Sequence, residues 1–117
     1  MSQPLPPIPW TEDFPGSITV CDPDGIILYM NAKSAATFAA DGGLGLIGSN
    51  LLDCHPGASR AKLEQMLASR QKNVYTIEKN GVKKLIYQTP WFEGTEYQGF
   101  VELSLEIPWV MPHFIRG

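Results

Sequence analysis

Cysteine, histidine and positive charge are all scarce in this chain. It has two cysteines, two histidines and nine Lys or Arg residues against twelve Asp or Glu. Cys21, Cys54, His55 and His113 show none of the paired spacings that build a structural zinc site. A formal net charge of −3 leaves no basic face for nucleic acid. The adjacent pair Lys83 and Lys84 sits beside an Asn-Gly turn and reads as a solvated hairpin tip. No apolar run approaches the length of a membrane span. The start, rich in proline and without positive charge, does not read as a secretory signal. Two thiols in such a chain read as reduced, and a cytoplasmic location is expected.

Catalytic groupings are missing too. Cys54 and His55 are sequence neighbours whose side chains diverge on a helical backbone. Glu102 and Glu106 share a strand face but stand about 13 Å apart by the rise per residue. Gly42-Gly43-Leu44-Gly45 follows a helix, whereas a phosphate-cradling loop opens one after a strand. These absences argue against an enzyme.

What remains is the material of one packed domain: 44% apolar and 18% charged residues over 117 positions. Prolines 4, 6, 7, 9 and 15 exclude helix or central strand at the start, which predicts an extended arm. A second arm, residues 108–117, contains Pro108 and Pro112. Ile-Pro-Trp occurs in both, at 8–10 and 107–109. Trp10 and Trp109 should therefore pack on the body or on a partner.

Between the arms the pattern alternates cleanly. Ser17–Cys21 and residues 26–30 are β-rich runs joined by Asp22-Pro23-Asp24-Gly25, a hairpin turn. Asn31 can cap a helix predicted over residues 32–40, ended by Asp41-Gly42-Gly43. A single helical turn is expected at 50–54. A longer helix from about Ser59 carries Leu63, Met66, Leu67 and Arg70 at helical spacing. Strands over 74–79 and 82–89 flank Asn80-Gly81, a strong hairpin signal. A last strand runs over 97–107. Two strands, helices, then three strands predict an α+β fold: a five-stranded antiparallel sheet with helices on one face.

Several motifs carry a resemblance in this order. They are Asp22-Pro23-Asp24-Gly25 leading to Tyr29-Met30-Asn31-Ala32, then Ile47-Gly48-Ser49-Asn50-Leu51, then Tyr97-Gln98-Gly99-Phe100. Together they resemble the PAS domain family over residues 14–107, with 1–13 and 108–117 as arms. Leu52-Asp53-Cys54-His55-Pro56 and Gly99-Phe100-Val101-Glu102-Leu103 look most like the PAS domains of DUF438-type proteins. The chain departs from the family ending, because Glu106-Ile107-Pro108 puts a proline where a signalling helix usually begins.

The resemblance implies a sensory domain with a ligand cavity that signals through protein contact. The alternative it leaves open is a ligand-free dimerisation or interaction module. It leaves the cofactor unassigned. Gly48-Ser49-Asn50-Leu51 lacks the cysteine of flavin photosensors, which argues against flavin. His55 offers an imidazole for haem iron, although a structural hydrogen bond is the plainer role. Aligned with PAS relatives, Thr76, Ile86, Gln88, Phe100, Glu102 and Ser104 face the cavity, joined by Cys54 and His55. Leu85, Tyr87, Val101, Leu103 and Leu105 then face outward. Covered by Trp10, Trp109 and a second copy, they would form a homodimer interface. A buried Glu102 needs a partner, which His55, a backbone donor, water or a ligand would supply. A signalling partner protein is expected, with neither nucleic acid nor membrane.

Overall fold

Turn chemistry fixes the two hairpins that frame the sheet. In the computed structural model, which describes residues 8–55 and 57–117 apart from the Cys54 side chain, strand β1 spans Ser17–Cys21 and β2 spans Ile27–Met30. The Asp22 carboxylate accepts from the amides of Asp24 and Ile26, both at 2.9 Å. Gly25 supplies the positive φ of 88° that the turn requires. Strand β3 (Asn73–Lys79) and β4 (Val82–Glu93) meet at Asn80 and Gly81, with φ of 53° and 77°, the geometry of a two-residue hairpin turn. Strand β5 is Glu96–Ile107. The sheet order is β2-β1-β5-β4-β3, and every pairing is antiparallel. The predicted five-stranded α+β architecture is therefore observed.

Strand β2 begins one residue later than predicted. Ile26 instead bridges to Asn50, because residues 48–51 return alongside the strand. Ile27 N–H donates to Ser49 O at 3.0 Å, Gly48 N–H to Ile27 O at 2.8 Å and Leu51 N–H to Gly25 O at 2.8 Å. Strand β4 runs four residues past its predicted end at Thr89. Pro90 is tolerated there because β3 starts opposite Gln88, so at Pro90 only β5 is a neighbour and one side is an edge.

Helix α1 is Ala32–Thr37, shorter than the predicted 32–40. The chain tightens into 3₁₀ turns at Ala39–Asp41 and Gly43–Leu46, separated by Gly42 with φ 121°. The glycines at 42, 43 and 45 cost too much backbone entropy to extend an α-helix. A third 3₁₀ turn, Leu51–Cys54, is capped by Asn50, whose Oδ1 accepts from Leu52 N at 2.9 Å. Helix α2 spans Ala58–Ser69 and ends at Arg70 in a left-handed conformation. It is tied to β5 where Tyr97 donates to Leu67 O at 3.1 Å. Leu67 packs there with buried Cys21 and Phe100.

Asn31 joins three elements. It is fully buried. Its Oδ1 accepts from Ile18 N at 3.0 Å and from Ser34 N at 2.9 Å. Its Nδ2 donates to Thr11 O and Gly16 O, both at 2.9 Å. All the ordinary capacity of the amide is used. Helix α1, β1 and the incoming chain are thus held at one point.

That clamp corrects the prediction of an extended N-terminal arm. The prolines at 4, 6 and 7 lie outside the described residues, but Trp10–Asp13 form a turn. The turn docks on the body, with Ala32 N–H donating to Glu12 O at 3.1 Å. The C-terminal residues 109–117 form neither helix nor strand. Neither tryptophan is buried against the body: Trp10 is 58% and Trp109 51% exposed. Trp10 and Phe14 stand edge to face, 5.5 Å apart between ring centroids. Among the described residues no helix is long and apolar enough to cross a membrane.

Candidate functional site

A cavity of about 490 Å³ lies between one face of the sheet and the helical segments. Its floor is the inward face of β5, β1 and β4, carrying Phe100, Glu102, Thr19 and Gln88. Phe38 and Leu46 come from the 38–46 segment, Leu51 and His55 from the third 3₁₀ turn, and Leu63 and Met66 from α2. The walls are mostly apolar, and the polar groups are few.

Those polar groups are ordered. Gln88 Nε2 donates to Glu102 Oε2 at 2.7 Å, and Gln88 Oε1 accepts from Asn73 Nδ2 at 2.9 Å. This chain of bonds crosses β5, β4 and β3 and supplies the partner that Glu102 needs. Thr19 Oγ1 is paired with Ser34 Oγ at 2.6 Å. His55 Nδ1 lies 2.6 Å from Leu51 O. A carbonyl only accepts, so Nδ1 carries the proton, and Nε2 has no hydrogen-bond partner among the described residues. Of the partners expected for Glu102, His55 is not the one found: Gln88 bonds Glu102, and the Leu51 carbonyl holds His55. Burial pushes the Cys21 thiol above its ordinary value, and the charges of Asp22 and Glu102 add to this. The Tyr75 phenol is raised by partial desolvation first and then by Glu102, although the residue as a whole remains 41% exposed.

Of the predicted cavity residues, His55, Gln88, Phe100 and Glu102 line the cavity together. Ile86 and Ser104 pair with each other on the same sheet face, yet neither borders the cavity. Thr76 is corrected outright. It pairs with Leu85, so it stands on the outer face, and it is exposed. Counting back from the two-residue turn sets that register, since Lys79 pairs with Val82. The Cys54 side chain lies outside the described part.

Leu85, Tyr87, Val101, Leu103 and Leu105 share the outer face through the pairs Leu85–Leu105, Tyr87–Leu103 and Thr89–Val101. All five are only half-buried. Val101 also borders the cavity; with its side chain turned outward, its main chain alone can reach the floor. Sequence reasoning missed the contributions of Phe38, Leu46, Leu63 and Met66. The i, i+3 pair Leu63 and Met66 was visible as a stripe, but nothing in it distinguished cavity wall from filled core.

No family model and no curated protein matches this chain. Solved structures do. The chain is similar to the Aer2 receptor from Vibrio cholerae, a dual PAS-haem oxygen sensor, at 18% identity and a TM-score of 0.60, covering 80% of this chain and 95% of that one. It is similar to the PAS domain of BvgS from Bordetella pertussis, at 19% identity and a TM-score of 0.58, covering 84% and 81%. A C-terminal domain from Streptococcus mutans matches at 21% identity and a TM-score of 0.66, covering 82% and 78%. The chain has the PAS fold.

Proposed function

We propose that this protein is a non-enzymatic sensory domain that binds a small ligand between its sheet and its helices and signals through protein contact. The observation that carries the reading is the cavity. Its 490 Å³ falls within the range of about 300–1,000 Å³ typical of ligand sites, and its few polar groups stand among apolar walls. His55, Gln88, Phe100 and Glu102 would contact the ligand. Strand alternation supplies the output route. On β5, the central strand, Glu102 faces the cavity while Val101 and Leu103 face the opposite side, so ligand reader and partner surface are one residue apart. We read the outer face, with Trp10 and Trp109, as the contact for a second copy or a signalling partner. The sensor roles of the Aer2 receptor and of a sensory box histidine kinase from Vibrio cholerae support this reading, and a cytoplasmic location is part of the proposal.

The test is an absorbance spectrum of freshly purified protein with mass spectrometry of its denatured extract. A compound near one per chain, reduced when Met66→Trp fills the cavity, is expected. An empty extract, together with unchanged behaviour of Met66→Trp in ligand screens, would leave only the ligand-free interaction module.

A further inference from the structure

Resting on the reading of the cavity as a ligand site, we infer that it selects an apolar molecule carrying a protonated amine and rejects anionic ligands. Two carboxylates, Glu102 and Asp41, border the cavity, and among the described residues no lysine or arginine does. The remaining polar groups reinforce that bias. Gln88 spends its oxygen on Asn73 and one Nε2 proton on Glu102. The Thr19 hydroxyl is engaged with Ser34. His55 holds its proton on the Leu51 carbonyl, so its Nε2 is an acceptor while the ring is neutral.

The charged groups left to a ligand are the Glu102 and Asp41 carboxylates, and with His55 Nε2 they are acceptors. The donors beside them are all neutral: the second Nε2 proton of Gln88, the weak Cys21 thiol and, where Ser34 donates to it, the Thr19 hydroxyl. A ligand bearing donors and positive charge completes these groups, whereas an anion is repelled chiefly by the half-buried Glu102 and more weakly by the solvent-exposed Asp41 at the rim. An apolar body is required by Phe100, Leu63 and Met66.

The same lining bears on haem, the group for which the Aer2 receptor is named a PAS-haem oxygen sensor. His55 Nε2 suits iron, but two propionates would enter a site walled by carboxylates without a cation to meet them. A flavin phosphate faces the same obstacle. The residues present do not fit either group as a whole.

The experiment titrates the full ¹⁵N-labelled chain with three probes of one shape: tryptamine, tryptophol and indole-3-acetate. Amide shifts at Gln88, Phe100 and Met66 report binding. Tryptamine is expected to bind at least about tenfold more tightly than indole-3-acetate, with tryptophol between. Glu102→Gln should shrink that ratio to a few-fold or less. Asp41→Asn, a near-isosteric change at an exposed position, should shrink it partially. Equal or tighter binding of indole-3-acetate overturns the inference and leaves the ligand-site reading standing. So does saturable one-to-one haemin binding that depends on His55. If none of the three probes shifts any cavity amide, the inference and the ligand-site reading fall together.

Discussion

Replacing Asn31 by alanine should be among the most damaging single changes in this protein. The side chain is 0% exposed and holds four hydrogen bonds of 2.9–3.0 Å. Alanine leaves two amides and two carbonyls without their partner. Each such bond contributes about 0.5–1.5 kcal/mol net, and a group stranded in the interior costs more. Water can reach Thr11 O, which is only part-buried, so that loss is discounted. The helix cap to Ser34 accounts for about 1 kcal/mol of the remainder. The sum is about 3–5 kcal/mol, to be read as a lower urea midpoint at unchanged m-value. Asn31→Asp separates the two halves of the clamp. It keeps an acceptor for Ile18 and Ser34 but aims a second oxygen at two carbonyls. Its carboxyl would be held above the usual value of about 3.9 in the folded state. The penalty against the parent is thus greatest at pH 7 and shrinks as the pH falls toward about 4. A loss below about 1 kcal/mol for Asn31→Ala would refute the reasoning, because it would mean the four bonds are replaced by solvent.

Three further outcomes follow from the geometry. A Cβ at Gly99 would stand 1.9 Å from Cys21 O at a φ of 126°; Gly99→Ala should therefore cost upwards of about 3 kcal/mol in urea unfolding, whereas Gly81→Ala, with open space around it, should cost only about 1 kcal/mol. Folded-state values above the ordinary ones for Cys21, Tyr75 and Tyr97 mean that the folded chain holds these protons more tightly. Their contribution is complete below about pH 9 and is lost as the pH rises through the folded values, which a series of melting curves between pH 7 and 11 would check. On the proposed output face, Leu103→Glu should convert a dimer to a monomer in sedimentation velocity while leaving the fold intact by circular dichroism; a parent chain that sediments as a monomer at high concentration would remove the dimer proposal.

Much of this architecture was legible from local chemistry. Asp22-Pro23-Asp24-Gly25 and Asn80-Gly81 specify their turns through φ preference and side-chain acceptance, so the hairpins followed directly. The inward placement of Glu102 ran against simple hydrophobicity and depended on the family resemblance. Thr76 was misplaced because the resemblance was followed where the turn already dictated the register: with Lys79 opposite Val82, Thr76 must lie opposite Leu85. The shortened α1 was foreshadowed by the glycines that follow it. The partnership of Glu102 with Gln88 and Asn73 was not legible, since it depends on three strands meeting in one register. Which apolar residues of the 38–46 segment and α2 wall a cavity, and which fill a core, is a matter of how far the helices stand from the sheet, a distance no periodicity encodes.

The returning segment at 48–51 has one more consequence. By bonding along β2 through Ile27 and the Ile26–Asn50 bridge, it blunts that margin of the sheet. Strand β3 is then the bare margin among the described residues, with Val74, Tyr75 and Ile77 substantially exposed along it. A sheet that can recruit a neighbour from one border only will stop growing after two copies have met there. Mispairing of this chain should therefore end in closed pairs, where a sheet open on both borders would propagate fibrils.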